Sequence, residues 1–186
     1  MPFQAGSNDV LQQMRRGYTF ESYMKIIEKI RAAAPDAAIT ADVIVGFPGE
    51  TEEDFERTLD LMEAVQFDNL NSFAYSPRPN TEAALWEEKQ IDESVKKKRL
   101  ARVQEVAAKH ALERSQRYLG RTLQVLVEDK NPRSPKQVMG RTRQGRQVFM
   151  DGDIEELLGD FVNVEITEAR TWSLVGKMVG EIGCST

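Results

Sequence analysis

The stretch Ala38-Ile39-Thr40-Ala41-Asp42-Val43-Ile44-Val45-Gly46-Phe47-Pro48-Gly49-Glu50-Thr51 decides the fold. Its first eight residues are short, β-branched and apolar enough for the inside of a parallel sheet. Gly46 to Glu50 then turns the chain, and Thr51 with Asp54 forms a variant of the capping box that opens a helix carrying Phe55, Leu59, Met62 and Val65. Upstream, Asp9 to Met14 reads as a short helix. Thr19 opens a longer one whose Tyr23, Ile26, Ile27 and Ile30 recur at helical spacing until Pro35. Downstream, Leu70 to Tyr75 reads as the next strand, ended by Ser76-Pro77-Arg78-Pro79-Asn80. A long helix follows from Asp92 to about Tyr118, with Val95, Val103, Val106 and Ala107 inward and its cations outward. Strand, helix, strand, helix in this order implies right-handed parallel βαβ units.

After Gly120 the apolar period changes from helical to two. Thr122 to Val127, Gln137 to Arg141, Arg146 to Met150, Phe161 to Ala169 and Ser173 to Val179 read as five short strands between Pro, Gly and Asp turns. That pattern fits a small closed β-barrel of the OB type, an architecture that often binds nucleic acid. The expected organisation is therefore an α/β part over residues 1–117 and an all-β part over 118–183. Two strands do not complete a parallel sheet, and Pro2-Phe3-Gln4-Ala5-Gly6-Ser7 reads as a loop that follows a strand not included. The chain is accordingly expected to be the end of a barrel and a piece of a longer protein.

Composition narrows the function. The chain has 186 residues, 40% hydrophobic and 30% charged, with a net charge of −5. Its apolar runs, such as Val43 to Val45, fall far short of the ~18 residues of a membrane span, and the N-terminus lacks the pattern of a secretory signal. A cytoplasmic protein that engages no membrane is expected. The single cysteine, Cys184, allows neither a disulfide nor a thiolate cluster. Charge is segregated: residues 36–93 hold fifteen Asp/Glu against three Lys/Arg, and residues 94–146 hold fifteen Lys/Arg against four Asp/Glu. The basic stretch suits a polyanion, and equally a solvated helix face followed by a basic loop.

Several residues carry possible chemistry. Gly46-Phe47-Pro48-Gly49 lies where a strand's C-terminal edge meets a helix N-terminus. There glycines admit close backbone approach and Phe47 could stack on a base, or the segment is simply a tight βα turn. Asp42 is either a polar residue of a barrel interior or a site residue. Arg78 leaves the other strand on the same edge, within reach of a bound phosphate or carboxylate, or belongs to a proline-stiffened turn. His110, with no second His or Cys nearby, reads as a half-exposed packing residue. Lys130, Arg133, Lys136, Arg141, Arg143 and Arg146 crowd two turns with Tyr118 and Phe149 close in sequence, the ingredients of RNA contact.

Pro2 to Ser7, Met14-Arg15-Arg16-Gly17-Tyr18-Thr19, Asp42 to Thr51, Tyr75-Ser76-Pro77-Arg78-Pro79 and Met139-Gly140-Arg141-Thr142-Arg143 together resemble the radical-SAM tRNA methylthiotransferases of the MiaB type. The resemblance runs over nearly the whole chain. It implies the end of a radical-SAM β/α barrel followed by a TRAM domain. It also implies an enzyme that adds a 2-methylthio group to N6-prenylated adenosine beside the tRNA anticodon. Its cofactors would be S-adenosylmethionine and two 4Fe-4S clusters, its partner the tRNA anticodon stem-loop and not DNA, and its full-length state a monomer. Gln4 and Ser7 would then lie near the ribose and amino acid of S-adenosylmethionine. Ile44, Val45, Gly46 and Phe47 would lie against its adenine, with Ser76 and Arg78 at the mouth. Asp42 stands where the family pattern G-x-I-x-G-x-x-E has its first Gly, and Glu50 is displaced by one residue. No catalytic residue or metal ligand is assigned, because the chain lacks the C-x-x-x-C-x-x-C loop and the auxiliary cysteines. By itself it is expected to be inactive. Sister enzymes acting on threonylcarbamoyl-adenosine in tRNA or on a ribosomal protein, and a non-catalytic RNA-binding module, are the alternatives.

Overall fold

The computed structural model describes residues 2–180; Cys184 and the expected end of the second part at residue 183 lie outside the described residues. The chain divides into two compact units, Met1–His110 and Ala111–Thr186.

In the first unit, α1 (Asn8–Gln13) and α2 (Phe20–Ala33) precede β1 (Thr40–Val45), α3 (Glu52–Val65), β2 (Asn69–Ala74) and α4 (Glu93–Gln116), the last running into the second unit. β1 and β2 pair in parallel from Thr40 opposite Asn69 to Val45 opposite Ala74. Gln4 adds a single parallel bridge to Val43 on the other edge of β1, its N–H donating to the Asp42 carbonyl and its carbonyl accepting from Ile44. Helices α2 and α3 start where their caps require. Thr19 and Ser22 form one reciprocal box, and Thr51 and Asp54 another. The sheet is asymmetric. Ala41, Val43 and Val45 point into a core with Phe3, Phe55, Leu61, Met62 and Phe67, whereas Asp42, Ile44 and the half-exposed Phe73 line the opposite face. Phe3 stacks on Phe67 with ring centroids 5.3 Å apart. Burying one such side chain contributes roughly 1.5–3 kcal/mol.

Some sequence expectations fail here for identifiable reasons. Ile26, expected on the buried stripe of α2, is 45% exposed, and Tyr23 and Ile27 fill the helix contact instead. Lys96 and Arg99 of α4, expected outward, are buried because carboxylates from elsewhere neutralise the guanidinium and the sheet's turn covers the lysine stem. His110 is fully buried, with Nε2 3.0 Å from Glu63 Oε2. That hydrogen bond lets the ring sit inside, and holds the Glu63 carboxyl below its ordinary value.

The second unit is the expected five-stranded barrel. Its strands are β3 (Thr122–Lys130), β4 (Gln137–Thr142), β5 (Gln147–Asp151), β6 (Phe161–Ala169) and β7 (Ser173–Met178), closed in the order β3-β4-β5-β7-β6. Every pairing is antiparallel except β5 with β7. The inward residues of the strands, including Val125, Val138, Met150, Val164 and Leu174, fill the interior with Tyr118, and Leu157 of α5 (Ile154–Leu157) joins them. Gly140 lets β4 lie against β3, since a Cβ there would fall on the Leu126 carbonyl oxygen.

Candidate functional site

A cleft of about 820 Å³ opens on the uncovered face of the β1–β2 sheet. Its floor is Gln4, Asp42, Ile44 and Phe73. Its walls come from α1 and the chain after it (Gln13 to Arg16), from the β1–α3 turn (Phe47), and from Ala74 at the end of β2 with the segment after it, as far as Trp86. This is the C-terminal edge of a parallel sheet, where an α/β fold leaves room for a ligand.

Phe47 anchors an aromatic corner. Its ring meets Tyr75 edge-on at 5.2 Å and Trp86 edge-on at 6.1 Å, Lys89 Nζ sits 5.2 Å from the Trp86 ring, and Lys96 Nζ sits 5.8 Å from the Tyr75 ring. Polar groups face this corner. Arg16 donates to Gln4 Oε1 at 3.2 Å, Arg15 pairs with Glu82, and Asn71 donates to Asp42 Oδ1 at 2.9 Å. Two lining side chains keep a buried polar atom without a hydrogen-bond partner: Gln13 Oε1 and the Tyr75 hydroxyl. Gln4 and Arg15 also hold left-handed backbone conformations, with φ of 64° and 56°. Such conformations cost a non-glycine residue about 1–3 kcal/mol and collect at ligand-holding sites.

The β1–α3 turn is fixed from behind. Glu50 is buried, and its Oε2 accepts from Gly46 N–H and from Arg99, each at 2.7 Å. Arg99 also donates to the Glu50 carbonyl at 3.1 Å and to Glu52 at 2.9 Å. Burial pushes the Glu50 carboxyl above its ordinary value, against the opposing pull of Gly46 N–H and Arg99. Gly46 has φ of 73°, and a Cβ on it would meet the Lys96 side chain at 2.5 Å. The turn therefore requires glycine. Asp54 takes hydrogen bonds from Ser7 Oγ at 2.5 Å and Thr51 Oγ1 at 2.7 Å. Burial raises its carboxyl, and the bonds from Ser7 and Thr51 outweigh that and hold it below its ordinary value.

Of the residues expected around S-adenosylmethionine, the structure brings Gln4, Ile44, Phe47, Ser76 and Arg78 to the cleft. Three lie elsewhere. Ser7 is fully buried against Asp54, Val45 is fully buried in the sheet core, and Gly46 faces Lys96 and Glu50. Sequence reasoning did not assign Trp86, Tyr75, Phe73, Gln13 or Arg15. The available signals were a tryptophan in an otherwise acidic loop and the Met14-Arg15-Arg16 segment, which had no role attached.

On the barrel, Lys130, Arg133, Lys136, Arg141 and Arg143 are exposed. Arg141 pairs with Glu128 at 2.9 Å. Arg146, expected among the RNA contacts, is buried instead: its guanidinium binds Ser115 Oγ and, at 3.2 Å, the Thr171 carbonyl. It is a structural cation, since desolvation of a guanidinium is tolerated only with such acceptors. Tyr118 is buried too and offers no stacking face.

Residues 1–62 match the family model of the Radical SAM superfamily, and residues 116–179 match the model of the TRAM domain. The chain thus carries a radical-SAM region, from a superfamily of enzymes that use S-adenosylmethionine and an iron–sulfur cluster, followed by a domain of an RNA-binding class. This combination fits a tRNA-modifying radical-SAM enzyme.

The two implied groups fare differently. The cleft fits S-adenosylmethionine in size, in its aromatic corner and in its unpartnered polar atoms. An iron–sulfur cluster does not fit: the chain holds one cysteine, and no group of three or more His, Cys, Asp or Glu among the described residues could hold a metal ion. Among the described residues no helix is long and apolar enough to cross a membrane.

Proposed function

We propose that the chain is the C-terminal part of a tRNA methylthiotransferase of the prenyl-adenosine branch, contributing one wall of the S-adenosylmethionine cleft and the domain that holds tRNA. The observation that carries this reading is the convergence of Gln4, Ile44 with Phe47, and Ser76 with Arg78, from three separate segments, on one cleft. Phe47 would pack against the adenine, Gln4 would reach the ribose, and Arg78 would face the carboxylate. When bound in the complete enzyme, S-adenosylmethionine supplies the radical. This chain's residues bind and orient it. The exposed cations Lys130, Arg133, Lys136, Arg141 and Arg143 would pair with phosphates of the anticodon stem-loop in the cytoplasm.

The test titrates the chain separately with S-adenosylmethionine and with anticodon stem-loop RNA at two salt concentrations. S-adenosylmethionine is expected to bind and to lose affinity in Phe47→Ala. The RNA is expected to bind in a salt-sensitive manner, more weakly in Arg141→Ala with Arg143→Ala, and more tightly when its adenosine is prenylated than when threonylcarbamoylated. Absence of binding to both ligands overturns the proposal. RNA binding with no S-adenosylmethionine affinity favours the second reading, a non-catalytic RNA-binding module, which the single cysteine supports.

A further inference from the structure

The strand registers bring together an outward face of the barrel that the basic turns alone do not reveal. Leu126 of β3 stands opposite Phe161 of β6 on one side and Arg141 of β4 on the other. In the next row, Gln124 stands opposite Asn163, and Arg143 follows Thr142 into the β4–β5 turn. The strand positions among these alternate with the buried Val125, Thr142, Val162 and Val164, so the pleat turns them outward, and Arg143 is exposed in the turn that follows. Phe161 is 51% exposed, and among the described residues no ring stacks on it. Gln124, Asn163, Arg141 and Arg143 are exposed as well. The acids of this face are Glu128, held by Arg141 at 2.9 Å, and Glu165, which stands opposite Thr122 one row beyond Asn163.

An isolated exposed aromatic, two side-chain amides and two guanidinium groups on one twisted sheet match the chemistry of unpaired nucleotides. The ring stacks on a base, the amides meet base edges, and the cations pair with phosphates. The two guanidinium groups favour a polyanion over a protein partner, and the ring and amides favour unpaired bases over a duplex. Resting on the RNA-binding reading above, we infer that the β6–β3–β4 face is a single-strand RNA platform, with Phe161 as the stacking residue and Gln124 and Asn163 reading base edges. The Glu128–Arg141 pair sets its affinity, because a phosphate must compete with Glu128 for that guanidinium.

The experiment measures fluorescence anisotropy of the full chain with a fluorescein-labelled single-stranded RNA of about twelve nucleotides and with a blunt duplex of the same sequence. Phe161→Ala is expected to weaken single-strand binding roughly tenfold, as loss of one stacked base does, without changing its salt dependence. Phe161→Tyr restores it, and duplex binding is untouched by either. Arg143→Gln lowers the salt slope by about 0.7, one phosphate contact on a single strand. Glu128→Gln tightens binding. Thermal melts confirm the fold, which half-exposed positions leave intact. Equal single-strand affinity of Phe161→Ala and wild type, with loss confined to variants of Arg133 and Lys136, overturns the platform and leaves the RNA reading standing. No RNA binding by the wild-type chain overturns both.

Discussion

Replacing Arg99 by Met should be the most damaging single change behind the cleft. The Arg99 guanidinium makes three hydrogen bonds, to Glu50 Oε2, to the Glu50 carbonyl and to Glu52. Methionine fills most of its volume yet leaves the buried Glu50 carboxylate with only Gly46 N–H. Removing one partner of a buried ion pair costs about 3–5 kcal/mol. Glu50→Gln should cost less, about 1–2 kcal/mol, because Arg99 keeps the Glu52 carboxylate and the Glu50 carbonyl. The double variant should be more stable than Arg99→Met alone. The pH dependence has a definite sign. Burial already raises the Glu50 carboxyl, and losing Arg99 removes a group that lowers it, so protonation relieves the penalty as pH falls. The Arg99→Met deficit should therefore shrink as pH falls from neutrality toward the ordinary glutamate value of 4.5. Urea unfolding in a Trp172→Phe background reads this through Trp86, since the chain has two tryptophans. A deficit below about 1 kcal/mol, or one independent of pH, refutes the account of Glu50 as a buried charge held by Arg99.

Further outcomes are expected elsewhere. Gly140→Ala should unfold or loosen the barrel by roughly 1–3 kcal/mol, because its methyl group meets the Leu126 backbone and not a side chain that can swing away; thermal denaturation checks this. Asp54→Asn should flatten the acid limb of a stability–pH curve. The native carboxyl lies below the ordinary 3.8, so its stabilisation is present above that value and disappears as pH falls through the lower native one. Arg146→Ala should cost about 1–3 kcal/mol of barrel stability by taking a donor from the Thr171 carbonyl and from Ser115 Oγ, which keeps only its own bond to the Ala111 carbonyl, whereas Arg143→Ala should leave the melting temperature unchanged.

Much of this architecture is legible in local sequence. The two reciprocal caps at Thr19 and Thr51, the apolar run into Val45 and the period-two strands of the barrel depend on neighbours within a few residues, and the structure places them where those patterns do. What resisted reading depends on partners distant in the chain. Arg99 and Glu50 are 49 residues apart, and Arg146 meets Ser115 across 31. A cation's burial is decided by such a partner, not by its own surroundings in sequence. Ser7 and Val45 sit in segments that reach the cleft, but their side chains turn inward, Val45 by the alternation of its strand and Ser7 toward Asp54, while Gln4 and Ile44 line the cleft. Phe161 escaped notice because its value lies in being left uncovered, which no periodicity encodes.

The parallel pairing of β5 with β7 has a consequence for the order in which the barrel is made. β7 alone closes the ring, joining β5 on one side and β6 on the other. Until Met178 has left the ribosome, β5 and β6 each expose a row of unpaired backbone donors and acceptors, and no smaller set of strands hides them. Closure of the ring by β7 is thus the last step in the folding of this unit. Before closure the nascent unit passes through a window in which those two open edges can pair with another chain.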